Sequence, residues 1–139
     1  MKKIYIKSVL LWFIFAILAI INAIIREKTY KIVLGDLIAH QISTIFFIIL
    51  ILIIMYFFFN HINKKPTKKE LWIIGASWLI ATVLFEFIAG HYLFQNTWGK
   101  LLTDYNLLKG RIWSLVLLFT LIGPRIVTKD FNSNDINKI

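Results

Sequence analysis

LIAHQISTIFFIILILIIMYFFF, residues 37–59, is a run of 23 residues without Lys, Arg, Asp or Glu. A helix rises about 1.5 Å per residue, so about 20 residues cross the roughly 30 Å hydrocarbon core of a bilayer. The apolar residues are continuous rather than alternating, and a closed barrel needs roughly eight or more strands. The run therefore predicts a transmembrane helix.

Three further runs flank it. Residues 4–25 are charged only at Lys7, residues 70–90 carry Glu86 as their one charge after Glu70, and residues 107–124 reach spanning length if Lys109 and Arg111 snorkel to the interface. The expected fold is all-α: an integral membrane four-helix bundle forming a single membrane domain over residues 1–139. The composition agrees. The chain is 59% apolar and 17% charged, with a mean hydropathy of +0.76, against about 45–50% apolar and about 25% charged in soluble domains. A chain of 139 residues still exposes roughly a third of its unfolded surface and cannot hide that excess in water. An ordinary soluble domain, a disordered chain and a disulfide scaffold are excluded, and the lack of Cys removes thiolate chemistry. The first run also has the pattern of a signal peptide: Lys2, Lys3 and Lys7 precede Val9–Ile21. Its one cleavage candidate, Ile21-Asn22-Ala23, begins with a large residue, so a retained helix is expected.

Sixteen Lys and Arg oppose seven Asp and Glu, for a net charge of +9. These cations flank the apolar runs. They fit an orientation signal and membrane lipid as partner, not nucleic acid, for which a separate basic module is missing. Ten of them (Lys2, Lys3, Lys7, Lys64, Lys65, Lys68, Lys69, Arg125, Lys129, Lys138) fall on one side of the expected bundle, and six (Arg26, Lys28, Lys31, Lys100, Lys109, Arg111) on the other. The positive-inside bias places both termini in the cytoplasm of a bacterial inner membrane. Thr67-Lys68-Lys69-Glu70, after Pro66, reads as a capping box. Trp98, Leu101, Leu102, Tyr105 and Leu108 recur at helical spacing and predict a short interfacial helix at about 96–106, before the fourth span. The tail, residues 129–139, is polar and Asn-rich and is expected to fray.

In such a bundle the end of the first helix, the start of the second, the end of the third and the start of the fourth share one side. The polar residues gather there: Asn22 and Arg26, His40 with Ser43 and Thr44, Glu86 and His91, and Arg111. Glu86 precedes Gly90 by four residues, and Asn22 precedes Arg26 by four, which puts both roughly 6 Å inside the edge. Ala16, Ala19 and Ala23 accompany Asn22 and Arg26 on one face, and Gly75, Thr82 and Ala89 repeat every seven residues. Small residues in a seam like that of Gly75, Thr82 and Ala89 let membrane helices approach closely. A carboxylate in hydrocarbon is costly unless paired, and Arg26 is the natural partner for Glu86. The expectation is an outward-facing pocket built from Asn22, Arg26, His40, Glu86, His91 and Arg111.

Several chemistries stay open at this stage. His40, Glu86 and His91 would supply three metal ligands, although no compact motif such as His-Glu-x-x-His occurs. His40 and His91 are the candidates for axial ligands of haem b. Arg26, Lys109 and Arg111 would clamp a lipid phosphate. Ser43, Ser77 and Ser114 lack a nucleophile elbow, and the opposite halves of the helices offer no polar path for a channel.

Four segments carry a resemblance: Asn22-Ala23-Ile24-Ile25-Arg26-Glu27, Ala39-His40-Gln41-Ile42-Ser43-Thr44, residues 85–92 (FEFIAGHY) and residues 104–113 (DYNLLKGRIW). They resemble blocks of an uncharacterised family of small four-helix bacterial inner-membrane proteins, over roughly Ile20 to Pro124. The resemblance implies an α-helical multi-pass protein and carries no activity, substrate or cofactor. Three functions are therefore expected as alternatives. The first is a transport-associated membrane protein binding an ion or a small or lipid ligand in the pocket. The second is a small membrane enzyme acting on a lipid or membrane-bound substrate. The third is a structural or accessory subunit, as a homo-oligomer or beside a partner subunit, whose Glu86–Arg26 pair sets packing.

Overall fold

A capping box starts the helix that organises the molecule. In a computed structural model of the chain, describing residues 3–62, 65–93, 95–103 and 112–136, Thr67 Oγ1 accepts from the Glu70 amide at 3.2 Å. The Glu70 carboxylate accepts from the Thr67 amide at 3.0 Å. Two of the amides a helix start leaves unpaired are thereby satisfied. The fold is all-helical, and no strand occurs among the described residues. Helix α1 spans Lys3–Lys28, the short α2 Tyr30–Leu34, α3 Asp36–Asn60, α4 Lys68–Ile88, the short α5 Trp98–Thr103, and α6 Trp113–Ile136. A single π-helical turn, Ala89–Leu93, continues α4. Three helices, α1, α3 and α4 with its π turn, are long and apolar enough to cross a membrane.

Contacts fix the directions. Trp78 of α4 donates its indole N–H to the Ser8 carbonyl of α1 at 2.9 Å, and Trp12 of α1 donates to Thr82 Oγ1 at 3.0 Å. Both pairs advance together, so α1 and α4 run parallel. Trp113 of α6 meets Glu86, and Leu121 of α6 meets Gly75; these pairs run in opposition, so α6 is antiparallel to α4. Phe47 and Met55 of α3 meet Trp113 and Gly123 in step, so α3 and α6 are parallel. A Cβ on Gly75 would lie 2.1 Å from the Leu121 carbonyl oxygen. Backbone therefore touches backbone there, as the small-residue seam on α4 predicts.

Phe47, Ile51, Met55 and Phe59 of α3, Leu71, Ile74 and Trp78 of α4, and Val116 of α6 form the core, with Leu11 and Phe15 from α1. Beyond Phe15, α1 contributes no buried residue. The cavity described below runs along this half of α1, which meets α3 through Asn22 and Arg26. Gly35, at φ +86°, turns the chain from α2 into α3, a conformation that favours glycine.

One boundary differs from the sequence reading. Helix α6 runs to Ile136, through residues expected to be a frayed tail. That expectation followed hydropathy, whereas the backbone needs only freedom from breakers, and neither Gly nor Pro follows Pro124. The start of the fourth span expected at residue 107, and the end of the interfacial helix expected at 106, lie outside the described residues. Thr97 opens α5, its hydroxyl accepting from the Lys100 amide at 3.1 Å.

Candidate functional site

The last two turns of α1 and the first two of α3 meet through Ser43. Arg26 Nη1 donates to Ser43 Oγ at 3.2 Å, and Asn22 Nδ2 donates to the Ser43 carbonyl at 3.3 Å. The hydroxyls of Ser43 and Thr44 donate back to the His40 carbonyl at 3.2 and 2.7 Å. His40 itself is buried. Across the molecule, Trp113 Nε1 donates to Glu86 Oε1 at 2.5 Å, and the Trp113 ring stacks on Phe47 with centroids 5.9 Å apart.

Asn22, Arg26, His40 and Glu86 all line one cavity of about 850 Å³, inside the roughly 300–1,000 Å³ range of small-molecule sites. It follows α1 from Lys28 down to Trp12 and α3 from Asp36 down to Ile51. The sixteen steps from Trp12 to Lys28 at about 1.5 Å each make it about 24 Å long. Ala16, Ala19 and Ala23 form part of its wall. The sequence places these alanines on one face of α1 with Asn22 and Arg26. On α1 they border the open space of the cavity, with Ala19 also touching the core.

Two expectations are corrected. The ion pairs found at the end of α1 are Arg26–Glu27 at 3.6 Å, Lys31–Glu27 at 2.7 Å and Lys31–Asp36 at 3.4 Å. None among the described residues joins Arg26 to Glu86. Ser43 and Glu27 are nearer acceptors for the guanidinium, and the Trp113 indole reaches the Glu86 carboxylate. His91 is also absent from the cavity wall. Its ring lies flat on Trp98, centroids 3.9 Å apart at 12°, and its Nδ1 donates to the Asn96 carbonyl at 2.9 Å. The cause is a fold-back after the π turn, where Gln95 adopts φ +56° and the Asn96 amide reaches the Gly90 carbonyl. The metal set His40, Glu86 and His91 is therefore not assembled, and no trio of His, Cys, Asp or Glu among the described residues is placed to hold a metal. The His40–His91 axial pair for haem b is likewise not brought to one cavity. Arg111 lies outside the described residues, as do Lys109 and Asp104.

The fold-back supplies wall residues that sequence reasoning missed. Asn96, Lys100 and Leu101 cover the end of the cavity where α1 finishes and α3 begins, and Lys28, Lys31 and Asp36 complete that rim. Leu101 is buried against Gly90, where a Cβ would come within 2.6 Å of its methyl. The hydrogen bond from Lys31 to Glu27, with Asp36 beside it, raises the lysine above its ordinary 10.5. Trp12 and Trp113 were also missed as polar ties. The signal was present, since an indole N–H within an apolar helix needs an acceptor.

No protein-family model matches the chain, and neither a curated protein nor a solved structure matches it.

Proposed function

We propose that the chain is a multi-pass integral membrane protein whose cavity binds a small or lipid-like ligand from one leaflet, in a transport-associated role. The single observation that supports this most is the meeting of Asn22, Arg26, His40 and Glu86 in the wall of one long, otherwise mostly apolar cavity. Such a wall suits an amphiphile better than a bare ion, for which no ligand cluster is assembled among the described residues.

The membrane reading rests on what the helices leave uncovered. Leu10, Phe13 and Ile17 of α1, Ile45, Phe46 and Ile49 of α3, and Ile80, Leu84 and Ile88 of α4 are all exposed. A contiguous apolar belt of this kind is what lipid covers. Four spans are proposed, with α6 as the fourth. Its apolar part, Trp113–Thr128, is short for a span, but it packs along both α3 and α4. A bacterial inner membrane with both termini cytoplasmic follows from the ten-to-six division of cations, and α5 then lies in the outer interface over the cavity. The absence of Cys simplifies the topology test. A cysteine placed at Pro66 is expected to react with an impermeant maleimide only after the cells are opened. Reaction in intact cells reverses the orientation.

A structural role is the second reading. The ties of Trp113 to Glu86 and of Arg26 to Ser43 join helices without any ligand. An enzyme is favoured less, because Ser43, the hydroxyl nearest Arg26, already accepts from it and donates to the His40 carbonyl. Native mass spectrometry of the protein purified in mild detergent separates binding from structure. Binding predicts a retained adduct that an Ala19→Phe variant, filling the cavity, loses while staying folded. A clean polypeptide mass in every mild detergent supports the structural role.

A further inference from the structure

The rim of the cavity sorts by charge once each acid is followed to its partner. Glu27 takes Lys31 and lies beside Arg26, Asp36 shares Lys31, and Glu86 accepts from Trp113. Lys28 and Lys100 also line the cavity, and no carboxylate among the described residues lies within ion-pair distance of either. Lys100 reaches only the Asn96 side-chain oxygen, at 3.2 Å. Arg26 spends one terminal nitrogen on Ser43, and its approach to Glu27 is long. A rim whose acids are engaged, while two ammonium groups and part of a guanidinium have no close carboxylate among the described residues, receives an anion.

Below the rim the wall is mostly apolar, with the Glu86 carboxylate held there by the Trp113 indole. The hydroxyls there are occupied: Thr120 donates to the Val116 carbonyl and Thr82 accepts from Trp12. An anionic end above a narrow apolar slot about 24 Å long is the outline of a headgroup on an acyl chain.

The slot also has a side wall facing the surroundings. A second, apolar groove of about 380 Å³ runs along the outside of α1 and α4, past the exposed Leu84, Ile88 and Leu93. It shares Trp12, Phe85 and Ala89 with the cavity. Trp12 and Phe85 meet edge to face, centroids 5.8 Å apart at 86°. An aromatic pair therefore divides the outer groove from the inner slot, one turn below Phe15, the last buried residue of α1.

We infer that the ligand is an anionic membrane lipid that enters the cavity sideways, past Trp12 and Phe85. Its headgroup rests against Arg26, Lys28 and Lys100, and one acyl chain fills the slot. This rests on the cavity being a binding site, as proposed above, and adds the chemical class of the ligand and its route.

The test uses the full chain in phosphatidylcholine vesicles containing phosphatidylglycerol. A photoreactive diazirine acyl chain is carried by phosphatidylglycerol in one preparation and by phosphatidylcholine in the other, and adducts are mapped by mass spectrometry. The phosphatidylglycerol probe is expected to label Ala19, Phe47 and Ile51 about tenfold more than the phosphatidylcholine probe, the ratio that one strong charge-assisted contact supplies. Lys28→Gln with Lys100→Gln brings the two probes level. Trp12→Ala, or Phe85→Leu should the first fail to fold, hastens labelling of the slot without altering that ratio. Equal labelling of the slot by both probes in the unaltered protein overturns the anionic ligand and leaves the binding site standing. An unchanged labelling rate in a folded Trp12 or Phe85 variant overturns the lateral route. If neither probe reaches the slot, the lipid is overturned; the detergent-retained adduct then decides the site, since a non-lipid adduct preserves it and none removes it.

Discussion

Trp113 and Glu86 join α6 to α4 at the wall of the cavity, the indole N–H donating to the carboxylate at 2.5 Å. Both side chains are only half-buried, and the Trp113 ring also stacks on Phe47. Removing the donor while keeping an aromatic ring isolates the hydrogen bond. Trp113→Phe is expected to cost about 1–3 kcal/mol, the range for a partly buried bond to a charged group. Glu86→Gln keeps an acceptor for the indole and is expected to cost less. Thermal unfolding in detergent, followed by the fluorescence of the remaining tryptophans, compares them. Equal melting temperatures for Trp113→Phe and the unaltered protein would show that the bond carries no stability.

Small residues serve opposite purposes on α4 and α1. Gly75 admits the backbone of α6, and any side chain there collides with the Leu121 carbonyl. Ala19 borders open space. Gly75→Ala is therefore expected to separate α4 from α6 and cost about 2–4 kcal/mol, as overpacking of rigid neighbours does. Ala19→Leu is expected to fold with its melting temperature unchanged or raised. A large loss at Ala19 with none at Gly75 would reverse the assignment. Gly123 is an internal control. Its close neighbour is the flexible Met55 side chain, so Gly123→Ala is expected to fall between the other two.

What the sequence disclosed depended on distance along the chain. The Thr67–Glu70 cap was legible because both partners lie in one turn, and the long helices were legible because hydropathy needs no partner. That Asn22, Arg26, His40 and Glu86 all belong to one half of the bundle followed from their places near the helix ends, but lining one long cavity is not sharing one level: the Trp12–Thr82 contact sets Glu86 below Asn22 and Arg26. Which groups actually touch did not follow. Rotation of one helix against the next decides whether Glu86 meets Arg26 or the Trp113 indole, and no periodicity within a single helix encodes it. His91 was withdrawn from the cavity by a reversal at Gln95, a left-handed position held by a residue that gives no warning of it. The sequence groups the alanines of α1 with Asn22 and Arg26 on one face, but small residues look alike whether a helix approaches them or a void does.

The capping box allows a local test. Thr67→Ala removes the acceptor for the Glu70 amide and is expected to cost about 1 kcal/mol. Thr67→Ser retains the hydroxyl and is expected to melt with the unaltered protein. Because the cap lies at the opposite end of α4 from Glu86, neither change is expected to alter a ligand adduct. Loss of adduct in a folded Thr67→Ala protein would mean that the start of α4 is coupled to the cavity.

Lys31 links stability to pH at the cavity rim. Its hydrogen bond to Glu27, with help from Asp36, raises it above 10.5. A lysine whose value is raised on folding contributes stability that is fully present below its unfolded value and lost as pH climbs through the folded one. The contribution is modest, because the side chain is 34% exposed and faces solvent screening. Lys31→Met removes it. The difference in melting temperature between the unaltered protein and Lys31→Met is expected to be constant from pH 7 to about pH 10 and to shrink above about pH 10.5. Comparing the two cancels the other lysines and tyrosines that titrate in the same range. A difference that persists unchanged to pH 12 would show that Lys31 acts through its methylene stem alone and that its contact with Glu27 carries no stability.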